Sequence, residues 1–289
     1  MTWANAVIQG ILLGGLYALF ATGLSLGFGV MRLVNLAHGD LAILAAYFTL
    51  SITETIDINP LTALVIVLPC AFLFGLVLQR LVFDRVVGVD PAFQIVATFG
   101  LSIVIENLLL EKYTADTQGL DAGSIETASI KVNDQISIGW FPLITLMCAV
   151  AVLGLLSLFL HRSRMGRAFR ATSDDRETAR LMGIDNRHVY ALAMGLALVT
   201  VALAGVFFGV RSSFDPFSGP SRLIYGFEAV IIGGLGSLWG TLAGGIVLGV
   251  SQGIGRQIDP QWGELAGHFV FLAVLVFRPT GLFGKAGDR

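Results

Sequence analysis

Residues 5–30 contain no Asp, Glu, Lys or Arg. That stretch exceeds the roughly 20 apolar residues a helix needs to cross the hydrocarbon of a bilayer. Eight more apolar stretches follow, at about 36–53, 61–83, 92–111, 140–160, 189–210, 222–236, 240–256 and 264–278. The runs are continuous rather than alternating, which favours helices over a β-barrel. The last three are short or interrupted by glycine, so they fit either full spans or a broken, re-entrant pair. The expected fold is all-α: a polytopic transmembrane bundle of eight or nine segments, with broken or re-entrant glycine-rich elements, in one domain over residues 1–289.

Composition agrees. Charged residues make up 13% of the chain, against about 25% in soluble domains, and 55% is hydrophobic. A net charge of −2 gives no field that would draw nucleic acid. Cys70 and Cys148 lie inside apolar runs and read as small core residues rather than a disulfide or metal site. No Lys or Arg precedes the first run and no small-residue cleavage site follows it, so it reads as a span rather than a cleaved leader.

The basic residues orient the chain. The segment around 162–188 carries Arg162, Arg164, Arg167, Arg170, Arg176, Arg180 and Arg187, which places it in the cytoplasm by the positive-inside rule. Alternation then puts Arg32, Arg80 and Arg85 inside. The N-terminus, the loop at 54–60 and the loop at about 112–139 fall outside. Arg278, Lys285 and Arg289 favour a cytoplasmic C-terminal end, which fits nine crossings, or eight with a different N-terminal side. In the long external loop, Ile130 and Val132 alternate with polar residues, as do Ile136 and Ile138, around Asn133 and Asp134. This pattern predicts a short β-hairpin, either a solvated ornament or a docking surface for an extracytoplasmic partner.

The cytoplasmic segment reads GRAFRATSDDRETARLMGIDNRHV from Gly166 to Val189. A helix from Ser173 to Met182 is expected, capped by Thr172 with Asp175 three residues on, and ended by Gly183. Asp174, Asp175 and Glu177 suit its N-terminal dipole and Arg180 its C-terminal end. Such a helix, held by a span on each side, fits a rigid contact for a motor domain. It also fits a solvated connector.

The pattern GRAFRATSDDRETARLMGID resembles the coupling loop of the branched-chain amino acid permeases of ABC importers. The stretches LLGGLYALFATGLSLGFGVMRLVNLAHGDLAILAAY and EAVIIGGLGSLWGTLAGGIVLG resemble the same family, in the family's order, from about Gly10 to Gly249. The chain is most similar to the shorter, LivH-type permease subunit. The resemblance implies a bacterial inner-membrane importer working by alternating access, with Arg170, Ala171, Thr172, Asp175, Ala179, Gly183 and Ile184 at the ATPase contact. It also implies a second related permease subunit, two cytoplasmic ATPase subunits and a periplasmic substrate-binding protein. The chain has no G-x-x-x-x-G-K-[ST] phosphate loop, so ATP and Mg belong on the partners and no cofactor is expected on this chain.

Polar residues inside the apolar runs are the candidates for the substrate path. Asn35, His38 and Asp40 fit helix capping and headgroup contact, or a break at Gly39 that lines the path. Glu106, with Asn107 beside it, fits a packing hydrogen bond or the path. Glu228 fits the external interface or a contact with a substrate ammonium. Gly233, Gly234 and Gly236 fit close packing or backbone groups around a substrate carboxylate. Gly240, Gly244, Gly245 and Gly249 have the four-residue spacing of helix packing. No metal site is expected, because no second ligand stands at a suitable distance from His38. A secondary transporter or channel for a small polar solute is the alternative. A catalytic pair of His38 and Asp40 lacks a nucleophile.

Overall fold

The computed structural model describes residues 2–133 and 136–284. Each apolar run forms a helix. These are α1 (Trp3–Met31), α2 (His38–Ile56), α3 (Pro60–Leu81), α4 (Pro91–Tyr113), α6 (Trp140–Arg162), α9 (Asn186–Arg211), α10 (Gly219–Gly233), α11 (Leu238–Ile258) and α12 (Trp262–Phe277). Outside the runs lie α5 (Ser124–Thr127), α7 (Arg164–Asp174) and α8 (Arg176–Leu181). Among the described residues, six helices are long and apolar enough to cross a membrane: α1, α3, α4, α6, α9 and α11. Helix α2 is more polar, and α10 and α12 are shorter.

Local chemistry marks the ends. The Asn59 side chain accepts the Leu61 N–H at 2.9 Å and Pro60 opens α3; the Asp90 side chain accepts the Ala92 N–H at 2.8 Å and Pro91 opens α4. Arg32 and Asp57 close α1 and α2 in left-handed conformations. The expected hairpin forms from β1 (Ser129–Asn133) and β2 (Ile136–Gly139), antiparallel, with a register irregularity between Lys131 and Asn133. Asp134, in its expected turn, lies outside the described residues, as do Lys285 and Arg289.

The helices stack as two rows. The back row runs α3, α9, α1, α11, and the front row runs α4, α2, α10, α12. Helix α6 packs behind α1. The pairing is reciprocal: α1 lies along α11 and α10, while α9 lies along α3 and α2. Helices α1–α4 and α9–α12 therefore form two repeats of opposite direction.

Contact chemistry sorts the two ends of the bundle. At the arginine-rich end, the Ser173 hydroxyl donates to the Gly29 carbonyl and Gly29 lies beside Gly236. At the other end, Gln9 donates to the Ser137 carbonyl at 2.7 Å, Asn59 donates to the Ala122 carbonyl at 3.0 Å, and Gln118 bridges to Phe214. This grouping matches the sides assigned from the basic residues.

Burial is uneven. Helices α1 and α9 are buried for most of their length, whereas α3, α4 and α6 present most of their apolar surface outward. Cys70 corrects one expectation, because it is exposed on α3 rather than in the core. A membrane protein has an apolar exterior, so an apolar run does not reveal which of its residues face inward.

Glycines set the spacing of the buried helices. A Cβ at Gly245 or Gly249 would strike the α1 backbone at Gly14 or Gly10, and one at Gly240 or Gly244 would strike α10 at Gly233 or Ala229. The four-residue series thus serves two faces of α11. Gly249→Leu is expected to destabilise the chain by more than the ~1–3 kcal/mol typical of overpacking, because backbone rather than a side chain must move. Gly154→Leu, with nothing within 4 Å of its Cβ, is expected to be tolerated. Thermal aggregation in detergent, followed for both variants, checks the contrast; equal stability would count against close backbone packing.

Candidate functional site

Two regions collect the candidate residues. The first is the arginine-rich end. Here the expected helix from Ser173 to Met182 is corrected: α7 runs through Asp174, the chain breaks at Asp175, and α8 begins afresh. The reason is local. Asp175 is extended (φ −149°, ψ 107°), and its Oδ1 accepts the N–H groups of Glu177 at 2.9 Å and Thr178 at 3.1 Å. Its Oδ2 accepts the Thr178 hydroxyl at 2.6 Å. Asp175 is therefore the cap itself, not the third position of a box capped by Thr172. These bonds, led by the Thr178 hydroxyl, hold its carboxyl below the usual 3.8, so the cap is intact at neutral pH and is lost as the pH falls through that lowered pKa.

Thr172 is buried and donates to Asn186 Oδ1 at 3.2 Å, and Asn186 donates to the Arg176 carbonyl at 2.7 Å. Arg170 donates to the Leu160 carbonyl. Ala179 is buried, and its carbonyl accepts the Ile184 N–H at 3.1 Å across the turn. That turn needs Gly183, at φ +82°, where a side chain would be strained. Ala171 lies in the last turns of α7, and its carbonyl accepts the Asp175 N–H at 3.1 Å. The α8 helix is thus braced from beneath, yet Leu181 and Met182 at its tip are 86% and 78% exposed. Leu181 and Met182 stand side by side on a surface otherwise rich in charged residues.

The second region is the front row. The break expected at Gly39 lies earlier, at 32–37; His38, Gly39 and Asp40 form the first turn of α2. Gly39 serves close approach instead, for a Cβ there would strike the Gly219 carbonyl. His38 is buried and its Nε2 lies 2.8 Å from the Phe20 carbonyl, which only accepts, so Nε2 carries the proton. Asn35 Oδ1 accepts the Ala37 N–H at 3.1 Å. Both residues border a cavity of about 10 Å³, room for about one water rather than an amino acid.

Asp40, in the first turn of α2, and Glu228, in the second half of α10, are both buried acids paired across helices. Asp40 is 1% exposed, and its Oδ2 accepts the Ser102 hydroxyl of α4 at 2.5 Å. Glu228 is buried on α10, and its Oε1 lies 2.5 Å from His268 Nδ1 of α12. The outer helices of the front row are each tied to an inner one by a buried acid. Polarity within an apolar run pointed to both acids, but Ser102 and His268 went unnoticed, because pairing across helices leaves no local signal. Glu228 thus faces His268 through Oε1, while its buried Oε2 has no hydrogen-bond partner. Tyr17 donates to Gln252 at 2.7 Å and stacks near Tyr225, beside which Arg222 lies over the Phe208 ring. Glu106 is half-buried on α4, and the exposed Asn107 donates to its own helix at the Ile103 carbonyl.

Gly233, Gly234 and Gly236 lie at the arginine-rich end. The chain after α12 folds back onto them: Leu282 and Phe283 N–H donate to the Ile232 carbonyl at 2.8 Å and the Gly233 carbonyl at 3.1 Å. The carbonyls freed at the end of α10 are thus taken by the chain itself. At the opposite end, an open cavity of about 450 Å³ is lined by Thr117–Asp121, Glu126 and Gly209–Ser213.

Comparison with known proteins places these features in a family. The chain is 25% identical over 98% of its length to the high-affinity branched-chain amino acid transport system permease protein BraD of Pseudomonas aeruginosa, 96% of which is covered. It is 26% identical over 96% of its length to LivH of Salmonella typhimurium, with 94% of that protein covered. Among solved structures, PsaBC from Streptococcus pneumoniae in complex with Fab covers 98% of this chain and 94% of that one at 14% identity and a TM-score of 0.49. Residues 6–278 match the family described as branched-chain amino acid transport system, permease component, and this multi-pass membrane chain belongs to that family.

Proposed function

We infer that this chain is one of two permease subunits in an ATP-driven importer of branched-chain or other small neutral amino acids in the bacterial inner membrane. The observation that carries the reading is α8 with its exposed Leu181 and Met182. The helix projects from the arginine-rich end while capped by Asp175, closed by Gly183 and pinned to α9 through Asn186. A channel or secondary transporter has no need of such a part. Two cytoplasmic ATPase subunits, holding ATP and Mg, grip this knob and its counterpart on a second permease. The hairpin and the 450 Å³ cavity at the opposite end suit delivery by a periplasmic binding protein.

Transport then proceeds by alternating access. Closure of the ATPase pair displaces α8, and α7 carries the motion to the α1 end through the bond from Ser173 to the Gly29 carbonyl. The two repeats rock about the buried α1 and α9 pair, and substrate moves as its affinity for each state dictates.

Purification from native membranes in mild detergent is expected to bring down two ATPase subunits and a second permease, identified by mass spectrometry. Leu181→Asp with Met182→Asp should lose the ATPases and keep the second permease. Gly183→Trp should lose the ATPases too, through strain at positive φ. A chain that purifies alone contradicts the assignment and favours a secondary transporter or channel; one that keeps its ATPases in both variants contradicts the α8 contact.

A further inference from the structure

The open cavity at the end of α9 has fixed walls. The Gln118 and Phe214 backbones each donate an N–H to the other's carbonyl at 2.8 Å, and the Leu120 N–H donates to the Gly209 carbonyl at 2.9 Å. Gly209 permits that approach, for a Cβ there would come within 2.9 Å of the Leu120 side chain. Asn59, before α3, holds the same loop by donating to the Ala122 carbonyl at 3.0 Å. The cavity's volume of about 450 Å³ lies within the range of pockets that hold small molecules, roughly 300–1,000 Å³.

Opposite charges line this cavity without meeting. Arg211 comes from α9, and Asp121 and Glu126 from the segment before β1; no ion pair joins them among the described residues. One oxygen of each acid is spent on its own segment. Asp121 Oδ1 accepts the Gly123 N–H at 2.7 Å, and Glu126 Oε1 accepts the Ala122 N–H. The second oxygen of each accepts no hydrogen bond among the described residues. Positive charge is in surplus beside Arg211. Arg222 of α10 lies 4.2 Å over the ring of Phe208, which is three residues before Arg211 and so on the same face of α9. Its Nε is buried without a partner. Arg256 of α11 is close enough to repel Arg211. Leu120 and Val210 add apolar contact to the lining. An unpaired guanidinium and two half-used carboxylates on one cavity match a ligand that carries both charges. An apolar amino acid is such a ligand, with a carboxylate for the guanidinium fork, an ammonium with three donors and a hydrocarbon side chain.

We propose that this cavity receives the transported amino acid on the outer side before translocation, with Arg211 binding its carboxylate and Asp121 and Glu126 its ammonium. The proposal rests on the amino-acid import reading above. It names the place where substrate released by the binding protein first meets this chain.

Labelling reads the site without transport. In the assembled importer, with Cys70 and Cys148 replaced by Ser, Ser213→Cys puts a thiol on the cavity lining. Excess L-leucine should protect that thiol from a neutral maleimide. L-leucinol, which lacks the carboxylate, and isocaproate, which lacks the ammonium, should not. Arg211→Gln should remove the protection by leucine. In proteoliposomes, Arg211→Gln, and Asp121→Asn together with Glu126→Gln, should each lower L-leucine uptake about tenfold or more, the worth of one hydrogen bond between charged groups. The Asn and Gln side chains keep the carbonyl oxygens that hold the loop. Stimulation of ATP hydrolysis by the binding protein should continue in both variants. Absent protection, equal protection by leucine and leucinol, or unchanged uptake in both variants overturns the proposal and leaves the importer reading intact. Loss of the stimulated hydrolysis along with uptake also overturns it, because the cavity then holds the binding protein rather than its cargo. If the wild-type assembly imports no amino acid, the importer reading itself fails and the proposal falls with it.

Discussion

Backbone touching backbone governs this molecule. Lipid is as apolar as leucine, so burying a leucine between helices gains little over leaving it in the bilayer. What remains is dispersion, which falls away steeply with distance, so the helices that define the core must lie almost in contact. The pairs Gly10–Gly249 and Gly14–Gly245 between α1 and α11, Gly75–Gly195 between α3 and α9, and Gly39–Gly219 between α2 and α10 provide that contact at three helix crossings. The two inner back-row helices, α1 and α9, are buried for most of their length, and the front row is laid across them.

Front-row chemistry follows from that enclosure. Because Gly39 brings α2 against Gly219, the start of α10 meets α2 within the bundle, and Asp40 is sealed at the meeting point. The outer helices α4 and α12 reach the inner pair through polar contacts, Ser102 to Asp40 and His268 to Glu228. A polar contact between sliding helices is replaceable by substrate or water, whereas a glycine contact is not. The architecture therefore separates a rigid back from a front row able to part, as transport through a bundle requires.

Much of this was legible in the residues. Continuous apolar runs gave the nine helices, and arginine clustering gave the side of the 162–188 segment. The hairpin was visible as alternating isoleucines, and the α8 turn as Gly183 followed by Ile184. What escaped was whatever depends on partners distant in sequence. The cap at Asp175 was mistaken for one at Thr172, because Thr172 is claimed by Asn186 on α9. Gly39 looked like a helix breaker, because nothing nearby reveals that Gly219 lies against it. The partner of Glu228 was hidden, because His268 lies forty residues away on α12. Outward-facing Cys70 shows the same limit from the other side: apolar character marks a span but not its inner face.

The most direct test is transport itself. The chain is reconstituted in proteoliposomes with its second permease and ATPases, with the periplasmic binding protein supplied, and L-leucine accumulation is followed with and without ATP inside. The account predicts concentrative uptake only when ATP and all the subunits are present. Uptake by this chain alone, driven by an ion gradient and indifferent to ATP, would contradict it.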